Sequence, residues 1–245
     1  MANGRGWGQE ATVWPGWDRL AEAACQAARS PATWLPVAGA LVLQIDNWDH
    51  RVSRYASKQT PLFGSQQKAR DASDYFLAAS EAAYALTVLT TPSGERPGEW
   101  LAAKMKGLAV GMSAYGITTG ATSGIQQASH RQRPNQADFL SLPSSHSSSA
   151  SVYSTLAAGN LRYIRIPEPA QRVGQLACIL IPAGTAWARV EGNVHYPTDV
   201  LLGAALGHFV GNFMNTAFMN IREGNLSLSL EPSQKHLLVG LRLAF

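Results

Sequence analysis

The chain has 245 residues, enough for one large domain with a continuous core or for two small domains. Hydrophobic residues make up 46% of it and charged residues only 15%, which indicates either an Ala- and Gly-rich helical core or contact with a membrane or lipid. The net charge of +4 comes from scattered Lys and Arg, which argues against nucleic acid as a partner and is compatible with a basic pocket for an anionic substrate.

The spacing of apolar residues predicts a mainly helical chain. The predicted helices and apolar segments cover residues 18–30, 34–45, 46–56, 65–89, 99–114, 147–158, 171–187 and 197–218. A Gly- and Thr-rich stretch that ends at Gly124 either prolongs the fifth of these segments or breaks it. Residues 123–149 are polar, contain Pro134 and Pro143, and are too irregular to form one helix.

No apolar run has the length and composition of a conventional membrane span. The best runs, at 34–45, 176–188 and 200–213, are shorter than the ~20 residues that a spanning helix needs or contain a polar residue. We therefore expect the buried helices of a soluble bundle. The N-terminus lacks the apolar core of a signal peptide and does not reveal the compartment.

The C-terminal segment has a different pattern. Residues 226–230 and 236–245 alternate apolar and polar side chains around Pro232, which predicts two strands. We expect a helical domain at 1–225 and a small β-hairpin at 226–245 that packs against it. The two cysteines, Cys25 and Cys178, lack metal-ligand spacing, so a disulfide is possible without being implied and no metal site is predicted.

Three polar clusters carry the candidate chemistry. The first is the run His130-Arg131-Gln132-Arg133-Pro134, and the second is Pro143-Ser144-Ser145-His146 at the start of a serine-rich helix. The third consists of Arg189, His195 and Asp199, with five and three residues between them.

In this order the clusters resemble the type 2 phosphatidic acid phosphatase superfamily, which includes bacterial class A acid phosphatases and vanadium haloperoxidases. The motifs of that family are K-x6-R-P, P-S-G-H and S-R-x5-H-x3-D. The resemblance spans about residues 100–215, and its motifs lie within 126–199. The chain departs from the motifs at three positions: Gln126 for Lys, Ser145 for Gly and Ala188 for Ser.

The resemblance implies an all-α bundle of the acid phosphatase type, with the motifs at one end. It implies metal-independent hydrolysis of a phosphate monoester or pyrophosphate through a phosphohistidine, without a cofactor and with vanadate as an inhibitor. His195 is then the nucleophile, His146 the leaving-group acid, and Asp199 the acceptor of a hydrogen bond from the second nitrogen of His195. The implied phosphate-binding residues are Gln126, Arg133, Ser144, Ser145 and Arg189.

Elementary chemistry supports these roles. A phosphoryl group in transfer spreads negative charge over three oxygens, which the guanidinium groups of Arg133 and Arg189 are suited to bind. The Ser144 hydroxyl and the Ser145 amide, at the start of a helix, can donate to the same oxygens. Loss of the lysine at Gln126 should lower phosphate affinity unless another cation compensates. The candidates for this compensation are Lys104, Lys106 and Arg131.

The remaining polar residues near the motifs are expected to be structural. We expect His130 and Arg131 to be solvated neighbours, either of which can also reach toward the pocket. His208 should be a packed core histidine. The group Asp46, Trp48 and Asp49 is expected to form a solvated helix start, with a supporting role at the site as the alternative.

The substrate is expected to be a phosphorylated small molecule or lipid, with membrane-surface contact. The low charged fraction and the apolar C-terminal strand favour an amphiphilic substrate and a periplasmic or outer-membrane-associated location in a Gram-negative cell. One alternative is a haloperoxidase with vanadate as its cofactor. Another is a catalytically inactive binding module of the cell envelope.

Overall fold

The computed structural model describes Trp7, residues 14–222, and the backbone of 226–232 and 237–243. The helices in the described residues are α1 Trp17–Arg29, α2 Pro31–Leu43, α3 Trp48–Gln59, α4 Gln66–Thr90, α5 Pro97–Ser129, α6 Ser145–Leu161, α7 Glu168–Glu191 and α8 Pro197–Met214. A short 3₁₀ turn, Ile45–Asn47, precedes α3, and a π-helical turn, Asn215–Met219, follows α8.

The fifth helix continues through the Gly- and Thr-rich stretch. It has 33 residues and ends where His130 adopts a left-handed conformation with φ 45°. Residues 123–149 do not form one helix, as expected, but 123–129 belong to α5 and α6 already begins at Ser145. Between these helices, residues 130–144 form the loop that carries the first two motifs.

The serine-rich helix α6 lies at the centre of the bundle and packs closely on α8. A Cβ atom built at Gly207 would lie 2.1 Å from the Ser148 carbonyl oxygen, and one at Gly203 would lie 2.6 Å from the Ser144 carbonyl oxygen. Only small residues allow the two backbones to approach this closely. The serines of α6 therefore fit the close contact between the two helices, although a serine-rich helix has no apolar face that would predict burial.

The hydrophobic core lies beside this contact, between α4, α5, α6 and α8. It contains Val88, Val152, Leu156, Val210 and Met214, each no more than 7% exposed. These core residues lie in the middle or the C-terminal half of α4, α6 and α8. The N-terminal ends of α6 and α8, where the second motif and the end of the third lie, are outside this core.

Two strands follow the helices. The backbone of β1, Leu226–Pro232, pairs antiparallel with that of β2, Leu237–Leu243. The intervening residues 233–236, the last two residues and all side chains of this segment lie outside the described residues. The predicted packing of a hairpin against the helices is therefore not addressed, and the fold assignment is based on the helices.

Helix α7 differs from the expectation of a buried bundle helix. It has 24 residues, and by length and composition it is the one helix in the described part of the chain that is able to cross a membrane. Only 22% of its apolar window is buried, and Val173, Leu176, Ile179 and Leu180 are exposed. One such helix is weak evidence of a membrane span by itself.

Candidate active site

The three sequence clusters meet at one end of the bundle. The loop at 130–144 runs from α5 to α6, and the turn at 192–196 joins α7 to α8. Backbone hydrogen bonds join these segments: the Ser141 amide donates to the Arg131 carbonyl, and the Ser144 amide donates to the Asp199 carbonyl, both at 3.0 Å. The start of α6 is thereby held against the start of α8.

His195 is buried, with 1% of its surface exposed. Its Nδ1 lies 2.8 Å from the Ser141 carbonyl oxygen, which can only accept a hydrogen bond. Nδ1 therefore carries the proton in the neutral ring, and Nε2 carries the lone pair. Nη1 of Arg133 lies 3.2 Å from Nε2, so the lone pair faces a cation.

The expected hydrogen bond from His195 to Asp199 is not present. Helix α8 does begin between the two residues, but Asp199 Oδ2 lies 3.8 Å from His195 Nδ1, beyond hydrogen-bond range. The carboxylate is occupied by other donors, namely Ser141 Oγ at 2.6 Å, the Tyr196 amide at 2.8 Å and Arg131 Nη1 at 2.7 Å. Asp199 therefore acts on His195 through Ser141: it binds the Ser141 hydroxyl, and the Ser141 carbonyl accepts the hydrogen bond from the Nδ1–H group of His195.

Arg131 and Asp49 are not solvated, contrary to expectation. Arg131 bridges the carboxylates of Asp199 and Asp49, and its guanidinium lies over the Tyr196 ring. Asp49 is 1% exposed and also accepts a hydrogen bond from the Thr198 amide at 2.8 Å, at the start of α8. The alternative role of Asp49 as a supporting group is therefore the correct one. Asp46, by contrast, is exposed and pairs with the exposed Arg51.

The two predicted arginines come from different parts of the chain: Arg133 lies in the loop before α6, and Arg189 lies near the end of α7. Arg133 is held by the Asp138 carboxylate, which lies 2.7 Å from its Nε. Arg189 is 9% exposed and donates from Nη1 to Ser73 Oγ at 3.2 Å. Its Nε is buried and has no hydrogen-bond partner in the described part of the chain. A buried, unpaired donor of a charged group is costly, and an anion at this position would satisfy it.

His146 is the second residue of α6 and is partly buried. Its Nε2 lies 2.9 Å from Oδ1 of Asp74 on α4. Because a carboxylate accepts, Nε2 carries a proton and Nδ1 is the nitrogen left for another partner. The sequence analysis did not identify Asp74, which precedes the first motif by a long stretch of chain.

The pKa values of both histidines are lowered. Burial lowers the pKa of His195 to about 4, against the opposing effect of Asp199, and the charges of Arg133 and Arg189 lower it further. Burial also lowers the pKa of His146, as do Arg189 and Arg133, while Asp74 opposes the shift. The same two arginines act on both rings, which brings all four predicted side chains into one site.

The two motif serines are placed differently from each other. Ser144 is fully buried, and its Oγ accepts from the Ser147 amide at 3.4 Å as the N-cap of α6. Capping uses Ser144 Oγ as an acceptor, so the donation of its hydroxyl hydrogen to phosphate stays a prediction. Ser145 begins the helix, where the first amides have no intrahelical acceptor and point out of the end of α6.

Gln126 does not take the place of the motif lysine. Its side-chain nitrogen donates to the Pro143 carbonyl at 2.8 Å and to Ser145 Oγ at 3.1 Å, so both of its N–H groups are used. In this arrangement Gln126 supports the second motif, and phosphate binding by Gln126 stays a prediction. Lys104 and Lys106 do not compensate, because they lie about 30 Å or more along α5 from Gln126.

His208 bonds Ser30 Oγ and Thr155 Oγ1, each at 3.0 Å, as a packed histidine should. Both cysteines are free. In the described residues, no group of three or more His, Cys, Asp and Glu side chains is placed to hold a metal ion.

Comparison with known proteins agrees with the geometry. Residues 108–223 match the sequence profile of the PAP2 superfamily. The chain is similar to this superfamily over that segment. The matched segment includes all three motifs and the helices α6, α7 and α8.

A solved structure shows the same fold. It is described as the crystal structure of the first transmembrane PAP2 type phosphatidylglycerolphosphate phosphatase from Bacillus subtilis. The TM-score is 0.57 at 17% sequence identity, and the match covers 78% of this chain and 94% of that chain. No curated protein matches the chain. The predicted all-helical bundle of the PAP2 type is confirmed.

The buried contact between Asp49 and Arg131 makes a testable contribution to stability. Asp49→Asn removes one of the two charges that Arg131 neutralises, and we expect the free energy of unfolding to fall by about 2 kcal/mol. Asp46→Asn, which affects an exposed pair in the same segment, should change it by less than about 0.5 kcal/mol. Chemical denaturation followed by circular dichroism measures both. Equal effects of the two variants would contradict the buried role of Asp49.

Proposed function

We propose that the protein is a metal-independent phosphatase that transfers the phosphoryl group to Nε2 of His195. The observation that carries the proposal is the hydrogen bond from His195 Nδ1 to the Ser141 carbonyl, which leaves the Nε2 lone pair facing Arg133. Arg133 Nη1 donates to this lone pair in the free protein, and a phosphoryl group would take its place. A neutral, oriented imidazole beside fixed cations is what attack on an anionic phosphoryl group requires.

In the first step, the lone pair of His195 Nε2 forms a bond to phosphorus while the bond from phosphorus to the leaving oxygen breaks. The leaving oxygen takes that electron pair and accepts the Nδ1 proton of His146. Arg133 and Arg189 bind the nonbridging oxygens, together with the leading amides of α6. The positive charge that develops on His195 is stabilised by the nearby Asp199 carboxylate.

In the second step, water attacks the phosphohistidine on the face opposite His195. Neutral His146 accepts a proton from this water, the bond between Nε2 and phosphorus breaks, and inorganic phosphate is released. His195 recovers its lone pair and His146 its proton, so the cycle returns both rings to their starting states.

The proposed substrate is a phosphate ester or pyrophosphate that is linked to a lipid. Large apolar side chains are exposed on several helices, including Trp34 and Leu41 on α2, Met105 and Met112 on α5, and Leu180 on α7. A soluble domain seldom exposes so many, and they are suited to contact with a lipid phase. The Bacillus subtilis protein with a similar fold is named for a lipid phosphate and as transmembrane.

The same exposed apolar side chains support a proposed association with a membrane. The proposed location is the periplasm or the outer membrane of a Gram-negative cell. The haloperoxidase alternative needs a cation that polarises bound peroxide, and at the lysine position Gln126 is neutral and occupied by Pro143 and Ser145. No observation favours that alternative.

Replacement of the nucleophile tests the function directly. His195→Ala should lower kcat for p-nitrophenyl phosphate by about 10³-fold or more, since it removes the proposed nucleophile. His208→Gln is the control, because His208 lies about 16 Å along α8 from its start. Vanadate should inhibit the wild type and EDTA should not. Retained activity in His195→Ala, or loss of activity with EDTA, would contradict the proposal.

The lowered pKa values predict an acidic pH optimum. His195 must be neutral to attack, and with a pKa of about 4 it is neutral above that pH. His146 must be protonated to act as an acid, and its pKa is below its ordinary value of 6.5 because of burial. The profile of kcat/KM against pH should therefore fall below about pH 4 and decline again before pH 6.5. An optimum above pH 7 would exclude this assignment of acid and nucleophile.

A further inference from the structure

Helix α4 contributes a pair of residues to the site that lies outside the three motifs. Ser73 accepts from Arg189 Nη1, and the next residue, Asp74, accepts from His146 Nε2. Both contacts join α4 to residues more than 70 positions further along the chain. The same short segment therefore contacts one phosphate-binding residue and the proposed acid.

The contact with Asp74 defines which nitrogen of His146 can act. Nε2 is directed at a carboxylate that accepts in both protonation states of the ring, so its proton stays on Nε2. The proton that can leave is on Nδ1. His146 is thus held by a carboxylate at Nε2, and its Nδ1 is left for the substrate, as in other carboxylate–histidine pairs.

The charges around His146 come from three segments. Arg189 on α7 and Arg133 in the loop before α6 both lower its pKa, and Asp74 on α4 raises it. From α5, the nearby Gln126 is neutral, and on α8 the Asp199 carboxylate is occupied by Arg131 and Ser141. Arg70 on α4 acts on Arg189. Asp74 is thus the carboxylate that offsets the two arginines at His146.

We propose that Asp74 is the positioning residue of the acid: its hydrogen bond to Nε2 orients His146 with Nδ1 toward the leaving oxygen. This inference rests on the proposed phosphatase function. In the transfer, the Nδ1–H bond breaks and a bond from the proton to the leaving oxygen forms. The Nε2 proton stays on the ring, hydrogen-bonded to Asp74, and the carboxylate is never protonated.

The role matters most when the leaving group is poor. An alkoxide leaves only with a proton from His146, whereas p-nitrophenolate is stable enough to leave without one. Loss of Asp74 should therefore slow hydrolysis of alkyl phosphates and spare hydrolysis of p-nitrophenyl phosphate. A purely structural role would affect both substrates equally.

The variant Asp74→Asn tests the proposal against a matched control, Asp71→Asn, on the same helix. Asp71 is exposed and accepts a hydrogen bond from Gln67 in its own helix, at 2.7 Å. With an alkyl phosphate, kcat should fall by roughly tenfold or more in Asp74→Asn, and with p-nitrophenyl phosphate by less than about threefold. The alkaline limb of the kcat/KM profile should move to lower pH. Asp71→Asn should match the wild type in all of these measurements.

A second measurement does not depend on turnover. In the full chain labelled with 13C at histidine Cε1, NMR titration should give a lower pKa for His146 in Asp74→Asn than in wild type and in Asp71→Asn. An unchanged pKa, or equal losses with both substrates, would overturn the role of Asp74. Absence of phosphatase activity in the wild type would instead refute the proposed function, and the titration would still decide whether Asp74 controls the charge of His146.

Discussion

The arrangement of the site depends on the hydrogen bonds that the Asp199 carboxylate accepts. It binds Arg131 from the first cluster, Ser141 from the loop before the second, and the Tyr196 amide from the third. The carbonyl of the same residue accepts from the Ser144 amide at the cap of α6. One buried residue thereby fixes the relative positions of all three clusters. Ser141, which Asp199 holds, in turn orients His195 through the hydrogen bond to its Nδ1. A buried carboxylate is tolerated here because several donors satisfy it.

Close helix packing provides the second constraint. Gly203 and Gly207 allow α8 to approach α6 until backbone atoms touch, and the serines of α6 fit this contact. The starts of both helices then lie side by side, with His146 near one and Asp199 near the other. Substitution of larger residues along this contact would separate the acid from the residues that orient the nucleophile. The composition of α6 thus follows from geometry, although it looks unsuited to a core helix.

Sequence reasoning identified the groups that motifs hold at fixed spacing, such as His195, Arg133 and Arg189. It did not identify the partners that come from α3 and α4. Asp49 and Asp74 contact the site across long stretches of chain, and nothing in their local sequence distinguishes Asp49 from the exposed Asp46. Such contacts are determined by which helices meet, and periodicity does not encode that. The spacing of His195 and Asp199 likewise predicted that the two residues lie close together. It did not predict that other donors would occupy the Asp199 carboxylate.

In the proposed mechanism, His195 attacks through Nε2 because its Nδ1–H group is bound to the Ser141 carbonyl. Rapid quenching of the enzyme with 32P-labelled substrate into alkali preserves phosphohistidine, and mass spectrometry locates it and distinguishes its two isomers. The account predicts a phosphoryl group on Nε2 of His195, formed and lost at the rate of turnover. A phosphoryl group on Nδ1, on His146, or on no histidine at all would contradict it.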